Sequence, residues 1–428
     1  MGIFRSRIFY IAVTAAIVPF AIVNLNFPES FTGYALASAF LIHVIADRKP
    51  GDWFYAVGVG LGLNILARWA GSFWHFPEVA PAFSLAMLGA GSLVVLGWRS
   101  CHSRDIKNGR SADAFLQATV LLVLVLASKF ALEATQLRGP YVLDSYLLTY
   151  DESLGWRSTF ADALLQRAPR LDQVIGVFYN GLPLVAALVC AAYSRYLKRP
   201  NWQLFRMVVT AGILGFVTYQ IFPAVGPRHL SMRSGSLMAA NALPPRPIPV
   251  ALNVARNAMP SLHMGWALLI WLAAESLPWP FRRVAFSYML LTPLLVLATG
   301  EHYVIDMVVA IPFCLIVLAI CSESAAPVRW RAAGTGILLT GAWLVLLRWT
   351  SIFVSAIAAW SCLVVFTGIS AFGIYCLVIA ARKQQKSFAV ALPHLTAEVA
   401  ASEKGSLSES GGIEGMSGTP WDAPQRDA

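Results

Sequence analysis

His302 and Asp306 stand four residues apart in Gly300-Glu301-His302-Tyr303-Val304-Ile305-Asp306, at the start of a long apolar run. On a helix, residues at that spacing share one face. A carboxylate there can accept a hydrogen bond from one imidazole nitrogen, which fixes the tautomer and leaves the other nitrogen as a nucleophile. Such a nitrogen can attack phosphorus. A second histidine, in Met259-Pro260-Ser261-Leu262-His263, opens another apolar run. Ser261 is suited to cap that helix, whose free N–H groups and positive dipole end favour an anion. His263 can protonate a leaving oxygen and then act as base toward an acceptor. Arg228, in Pro223-Ala224-Val225-Gly226-Pro227-Arg228, closes the apolar run before that. Its planar fork matches phosphate. Arg256 and His229 are weaker candidates for the same anion.

Two other readings fit the same residues. An HxxxD pair often serves only as a structural hydrogen bond. His263, His302 and Asp306 also form a set of three N/O ligands of the kind that holds catalytic zinc. The proline and helix start before His263, with Arg228 at the preceding helix end, favour phosphate over metal. The expected site therefore uses no metal and no cofactor.

These residues need elements that can carry them at membrane depth. The chain has 428 residues, 57% hydrophobic and 13% charged, with a mean hydropathy of +0.64. That composition belongs to a polytopic membrane protein, not a soluble domain. Apolar runs able to cross about 30 Å of hydrocarbon recur along most of the chain. They lie near 8–25, 31–46, 54–71, 79–97, 114–132, 171–193, 204–222, 262–277, 283–299, 302–321, 331–348 and 354–381. The expected fold is all-α, with about twelve transmembrane helices. More spans follow the first run at once, so it reads as a retained helix rather than a cleaved signal.

The net charge of +10 is spread in a way that argues against nucleic acid. Arg5 and Arg7 precede the first run, and basic loops follow each even-numbered one, for example Arg195, Lys198 and Arg199 after the sixth. This positive-inside pattern puts both termini in the cytoplasm of a plasma (inner) membrane. Arg228, His263 and His302 then share the extracytoplasmic face. Five of the six cysteines lie in apolar runs, and none has the spacing of a disulfide or zinc motif.

Three regions follow, with a tail. Residues 1–110 hold four helices with no legible chemistry. Asn64 and Arg68 in the third read as packing residues. Residues 111–325 hold six helices and all the candidate site residues. Residues 326–382 add two helices. Residues 383–428, rich in Ser, Gly, Glu and Ala, read as a disordered cytoplasmic tail. Two long external loops stand out. In 133–170, the stretch Phe160, Leu164, Leu165, Arg167, Arg170 has the spacing of an interfacial amphipathic helix. In 223–261, seven prolines predict a stiff, irregular course.

The three motifs Gly226-Pro227-Arg228, Pro260-Ser261-Leu262-His263 and Gly300-Glu301-His302-Tyr303-Val304-Ile305-Asp306 resemble those of the type 2 phosphatidic acid phosphatase superfamily, in order and in placement. The HYxxD wording, Asp144…Asp151-Glu-Ser-Leu-Gly155 and Phe178-Tyr179-Asn180 look closest to its inositol phosphorylceramide synthase-like branch. The resemblance covers roughly 111–325. It implies a six-helix phosphatase-type core, a phosphohistidine on His302, Asp306 as its orienter and His263 as acid/base. Two departures are visible. Leu295-Val296 replace the Ser-Arg that usually precedes the third-motif histidine. The first motif's usual upstream lysine also has no counterpart, since 205–225 contains only Arg206, at the far side. Phosphate binding then leans on Arg228, Ser261 with the amides beside it, and Arg256.

The expected protein is a membrane-embedded lipid phosphatase or phosphotransferase, whose partners are the bilayer and a phosphorylated lipid. With water as acceptor it is a phosphatase. With a lipid or polyol hydroxyl as acceptor it is a headgroup transferase like the synthase branch. A transporter or flippase is a rival of another class, since twelve helices with cytoplasmic termini suit one. A transporter should show repeats and broken helices near the midplane; here the polar clusters sit at helix ends.

Overall fold

The computed structural model describes residues 7–23, 31–46, 50–74, 81–102, 110–156, 169–234, 245–250 and 254–409. Fifteen α-helices account for nearly all of them. Four come first: α1 (Arg7–Val23), α2 (Phe31–Ala46), α3 (Pro50–Trp74) and α4 (Pro81–His102). Then follow α5 (Arg110–Thr135), α6 (Asp144–Ser153), α7 (Pro169–Asn180), α8 (Leu182–Ala192), α9 (Trp202–Ile221) and α10 (Pro227–Ser234). The last five are α11 (Leu262–Ala273), α12 (Trp279–Ala298), α13 (Val304–Cys321), α14 (Ala326–Trp349) and α15 (Ala356–Glu409). A two-stranded antiparallel ladder pairs β1 (Tyr141–Val142) with β2 (Ile248–Pro249).

Eleven of the twelve apolar runs each form one helix and the sixth forms two, α7 and α8; the protein is an all-α integral membrane protein. Among the described residues, seven helices are long and apolar enough to cross a bilayer: α4, α5, α9, α12, α13, α14 and α15. An eighth crossing arises if α7 and α8, bent by 46° at Gly181, form one span. The helices of the first two runs are shorter, and α11 has only 12 residues before a 3-10 turn. The twelve expected spans are therefore thirteen helices of unequal length, of which, among the described residues, seven, or eight with the bent pair as one, are both long and apolar enough to cross.

Packing assigns each helix its place. α13 is the most apolar span and 78% buried, so it sits at the centre. It contacts α9, α11, α14 and α15, while α5 and α8 close the bundle on the other side. α2 and α4 lay the N-terminal helices against α5, with α2 also on α8. A small residue also lets α2 and α4 meet each other closely: a Cβ on Gly89 would fall 1.7 Å from the Leu36 carbonyl oxygen. α14 and α15 pack on α13 and, with α6, bury the aromatic group Tyr150, Trp343 and Phe353.

One expectation changes, and another lies outside the described residues. α15 continues to Glu409, so 383–409 is helical where the sequence suggests disorder. The local reason is propensity: Lys383 to Lys386 and Ala397 to Ala401 are mostly strong helix formers that extend an existing helix. Residues 410–428 lie outside the described residues. The amphipathic stretch of the first loop also falls largely outside them, since 157–168 are not described.

One end of the bundle gathers the chemistry. α9 and α12 finish there, and α10, α11 and α13 begin there. The loops between them are laced together. The Leu143 N–H donates to the Pro223 carbonyl (2.8 Å), and that of Ala258 to Ala224 (2.9 Å). Likewise the Arg228 N–H donates to Gly300 (2.8 Å).

Candidate active site

His302 is 2% exposed and lies just before α13, not on it. Tyr303 is the N-cap, and Asp306 is the third helical residue. The Asp306 carboxylate folds back to accept the Tyr303 N–H at 2.7 Å, the reciprocal half of a capping box. The same oxygen, Oδ2, stands 3.5 Å from His302 Nδ1. The stacked i,i+4 pair expected from the spacing is thus a cap that reaches back across a helix start.

The shorter partner of His302 Nδ1 is the Ala258 carbonyl, at 2.7 Å. A carbonyl only accepts, so Nδ1 carries the hydrogen. Nε2 of the neutral ring then keeps its lone pair. The tautomer is set jointly, by a backbone carbonyl of the loop before α11 and by Asp306.

Two further buried carboxylates hold the frame. Asp151 Oδ2 accepts the Val304 N–H (2.8 Å) and its Oδ1 the Ile305 N–H (3.2 Å), so it caps α13 from another element. Asp144 Oδ1 accepts from Gly226 N (2.8 Å), Val225 N (3.1 Å) and the Tyr303 hydroxyl (3.1 Å). It ties the Arg228 loop to the start of α13. Burial raises the Asp144 carboxyl to about 6, against the lowering effect of the Val225 and Gly226 amides. Burial likewise raises Asp151. The sequence offered both aspartates only as motif resemblance; their roles as anchors appear when α6 packs beside α13.

His263 is the second residue of α11. Its ring stacks on Tyr179 of α7, with centroids 4.0 Å apart and planes 20° from parallel. The His263 and His302 ring centroids are 6.4 Å apart. Ser261 caps α11 through its Oγ, which accepts the Met264 N–H at 3.4 Å. The Ser261 N–H donates to the Asp306 carbonyl at 3.1 Å, joining the two helix starts.

Arg228 lies in the first turn of α10 with its side chain 42% exposed, and Nη1 is 4.0 Å from Glu301 Oε1. His229 Nε2 is 3.3 Å from Glu301 Oε2. Burial works to raise the Glu301 carboxyl; the hydrogen bond and charge of His229, with His302 and Arg228, outweigh it and hold the group below its ordinary value. The turn is tight. Gly226 has φ +90°, and a Cβ there would fall 2.2 Å from the Glu301 carbonyl oxygen.

Arg256 lies elsewhere. It is fully buried, and its guanidinium donates to the carbonyls of Gln136 (3.0 Å), Val254 (3.0 Å) and Gly139. Its N–H donates to Thr135 Oγ1 at 2.9 Å. Three guanidinium bonds clamp the end of α5 to the loop before α11, and among the described residues Nε has no hydrogen-bond partner. His302, His263, Asp306 and Ser261 come together, and Arg228 faces Glu301 immediately before His302. Among the described residues, no three His, Cys, Asp or Glu groups are arranged to hold a metal ion.

Both histidines line one cavity of about 750 Å³ between α5, α8, α9 and α11. Its walls are mainly aliphatic and aromatic, including Leu124, Val125, Ile213, Phe216 and Trp266. The lining also holds a few polar side chains, among them Ser128, Gln136 and Asn257, and a mainly apolar cavity with a few polar groups is the usual form of a small-molecule site.

Residues 145–320 match the family model of the PAP2 superfamily. The match supports the type 2 phosphatidic acid phosphatase superfamily for this segment and a lipid phosphatase-type function for the protein. The matched span runs from α6 to α13 and contains Arg228, Ser261, His263, His302 and Asp306. Members of this superfamily are phosphoesterases, which supports an enzyme. No curated protein and no solved structure matches the chain.

Proposed function

We propose that the protein cleaves a phosphoester of a membrane lipid through a phosphohistidine on His302, with water as the acceptor. The observation that carries this reading is the 2.7 Å bond from His302 Nδ1 to Ala258, beside a second histidine in the same cavity. It leaves Nε2 as the nucleophile. Attack on phosphorus places positive charge on the ring, and the carboxylate of Asp306 stabilises that charge. His263 protonates the leaving oxygen and later takes a proton from the attacking water. Arg228, the Ser261 hydroxyl and the amides at the start of α11 hold the phosphoryl oxygens. The transition state is stabilised by donors fixed before substrate arrives.

The distribution of basic loops favours an extracytoplasmic site in the plasma (inner) membrane, with both termini cytoplasmic. The four N-terminal helices, 1–110, and the two after the core, 326–382, form separate regions around a catalytic core of 111–325. Headgroup transfer to a lipid or polyol hydroxyl, as in the inositol phosphorylceramide synthase-like branch, shares the first half-reaction and differs only in the acceptor.

The test uses purified protein in detergent with EDTA. Phosphatidic acid, a polyprenyl diphosphate and a phosphoinositide are supplied in turn to the wild type, His302→Ala and His263→Ala. Products are resolved by mass, so free phosphate and a transferred headgroup are told apart. Turnover lost in both variants supports the mechanism; turnover surviving in His302→Ala refutes it.

A further inference from the structure

We infer that Tyr179, at the bend between α7 and α8, is a positioning residue for the proposed chemistry: its ring holds the His263 imidazole in plane and supports the protonated form that the leaving oxygen needs. The inference rests on the acid–base role given to His263 above.

The bend has a cause in the sequence. α7 ends at Asn180, α8 begins at Leu182, and the two meet at 46°. In an unbroken helix the Tyr179 carbonyl would accept the N–H of residue 183, but that residue is Pro183 and has none. Another element supplies a donor there. The Tyr288 hydroxyl of α12 donates to the Phe178 carbonyl at 2.9 Å and lies 3.5 Å from that of Tyr179. The Gly181 N–H also turns back to the Phe178 carbonyl, at 3.1 Å. The end of α7 is thus pinned to α12.

From that anchored end the Tyr179 ring lies on the imidazole of His263, with centroids 4.0 Å apart and planes 20° from parallel. The rings of Trp266 and His302 stand farther off, at 6.5 and 6.4 Å. The start of α11 is fixed as well. Ser261 caps it, and the Tyr219 hydroxyl donates to the Pro260 carbonyl at 3.3 Å. Both halves of the stack therefore sit on held backbone, and turning the imidazole out of plane would break the contact.

The stack also bears on charge. His263 lines a mainly apolar cavity, where a lone cation is disfavoured. His302, which gains positive charge as its Nε2 bonds to phosphorus, already acts on it electrostatically. Glu301 before α13 is engaged by His229 and Arg228, and Asp306 by His302 and the Tyr303 N–H. Tyr219 of α9 and, on α5, Lys129 and Glu133 line the same cavity. Tyr288 of α12 stands beside Tyr179, α8 brings only the Cys190 thiol, and α11 has no other titratable group. The ring face of Tyr179 carries negative potential, so it attracts an imidazolium more strongly than a neutral imidazole, and more so away from water. It thus keeps the proton on His263 until the P–O bond breaks. The bond's electron pair then goes to the leaving oxygen, which takes that proton. Attack of water on the phosphohistidine returns one to His263 and restores His302.

The test follows His263 itself, by NMR of the full-length protein in detergent with isotope-labelled histidine, its signal assigned by its absence in His263→Gln. The titration midpoint should fall by about one pH unit in Tyr179→Leu, the size of a desolvated cation–π contact, and by less than about 0.3 in Tyr179→Phe. Tyr179→Phe made with pentafluorophenylalanine keeps the shape but loses the negative face. It should fall as Tyr179→Leu does, and it decides the matter if the leucine variant does not fold. These midpoints need no substrate. In phosphate release from phosphatidic acid, the alkaline limb of kcat/KM should move to lower pH by the same step, because the acid must be protonated. Above the midpoint, Tyr179→Leu should then run about tenfold slower. Midpoints unmoved in the leucine and fluorinated variants, or a fall as large in plain Tyr179→Phe, overturn the inference while the histidine mechanism stands. Full turnover in His263→Ala overturns the acid–base reading instead, and the catalytic role of Tyr179 falls with it whatever the midpoints.

Discussion

The Nδ1 of His302 donates to the carbonyl oxygen of Ala258, 44 residues earlier in the chain, at 2.7 Å. This one bond orients the candidate nucleophile, because an acceptor without a proton forces the hydrogen onto Nδ1 and the lone pair onto Nε2. Asp306, 3.5 Å from the same nitrogen, adds charge rather than the nearest contact. Asp306→Asn should therefore retain measurable turnover, while His302→Ala should fall to background. Steady-state phosphate release, with acid-quench capture of a phosphoenzyme, measures both; equal loss in the two variants would mean that Asp306 fixes the tautomer alone.

His263→Ala should lower kcat by roughly 10²- to 10⁴-fold, the range of a general acid–base. A leaving group that needs no protonation should recover much of that loss. Comparing an aryl phosphate with an alkyl phosphate on the same variant checks it. Equal defects on both would assign His263 to packing against Tyr179 instead.

Arg228→Ala should weaken the substrate interaction by about 1.5–3 kcal/mol, seen as a roughly tenfold or greater fall in kcat/KM. Arg228→Lys should recover only part, since an ammonium lacks the bidentate fork. A kinetic series in substrate concentration separates KM from kcat. Full activity in the lysine variant would reduce the role to charge alone.

Gly226→Ala should be costly. The residue sits at φ +90°, and the added Cβ meets the Glu301 carbonyl oxygen at 2.2 Å. Strained backbone of this kind costs about 1–3 kcal/mol, and relief would move Glu301, next to His302. Thermal unfolding in detergent should show a lower midpoint, with activity reduced below what stability explains. An unchanged midpoint would show that the turn yields freely.

Asp144 predicts a pH dependence of stability. Its folded carboxyl titrates near 6, above its ordinary 3.8, so the folded state holds the proton more tightly than the unfolded state. Its contribution is favourable below about 4, is lost as pH rises toward 6, and stays lost above that. The gap corresponds to roughly 3 kcal/mol. Asp144→Asn keeps an oxygen for Val225, Gly226 and Tyr303 and removes the titration. Unfolding midpoints from pH 4 to 7 should fall with pH more steeply in wild type than in the variant. Parallel curves would mean that Asp144 does not titrate in this window.

Composition, apolar run length and motif order were enough to specify an all-α membrane protein and to pick out His263, His302, Asp306, Arg228 and Ser261. Those signals are local, since helix formation and caps depend on neighbours a few residues away. Run length did not specify how many helices cross: α11 stops at 12 residues, and α7 and α8 bend apart at Gly181. Nor could it show that Arg256 spends its guanidinium on carbonyls, that Ala258 holds His302, or that Asp144 and Asp151 brace the helix start from α6. Apart from the bond of Arg256 to Val254, these are contacts between residues 44 to 159 positions apart. A side chain's partner at that range depends on how whole helices pack, and packing minimises buried, unpaired polar groups across the bundle rather than along the chain. The sequence supplied the reactive groups; the tertiary structure decided which partners hold them and so which imidazole nitrogen carries the hydrogen.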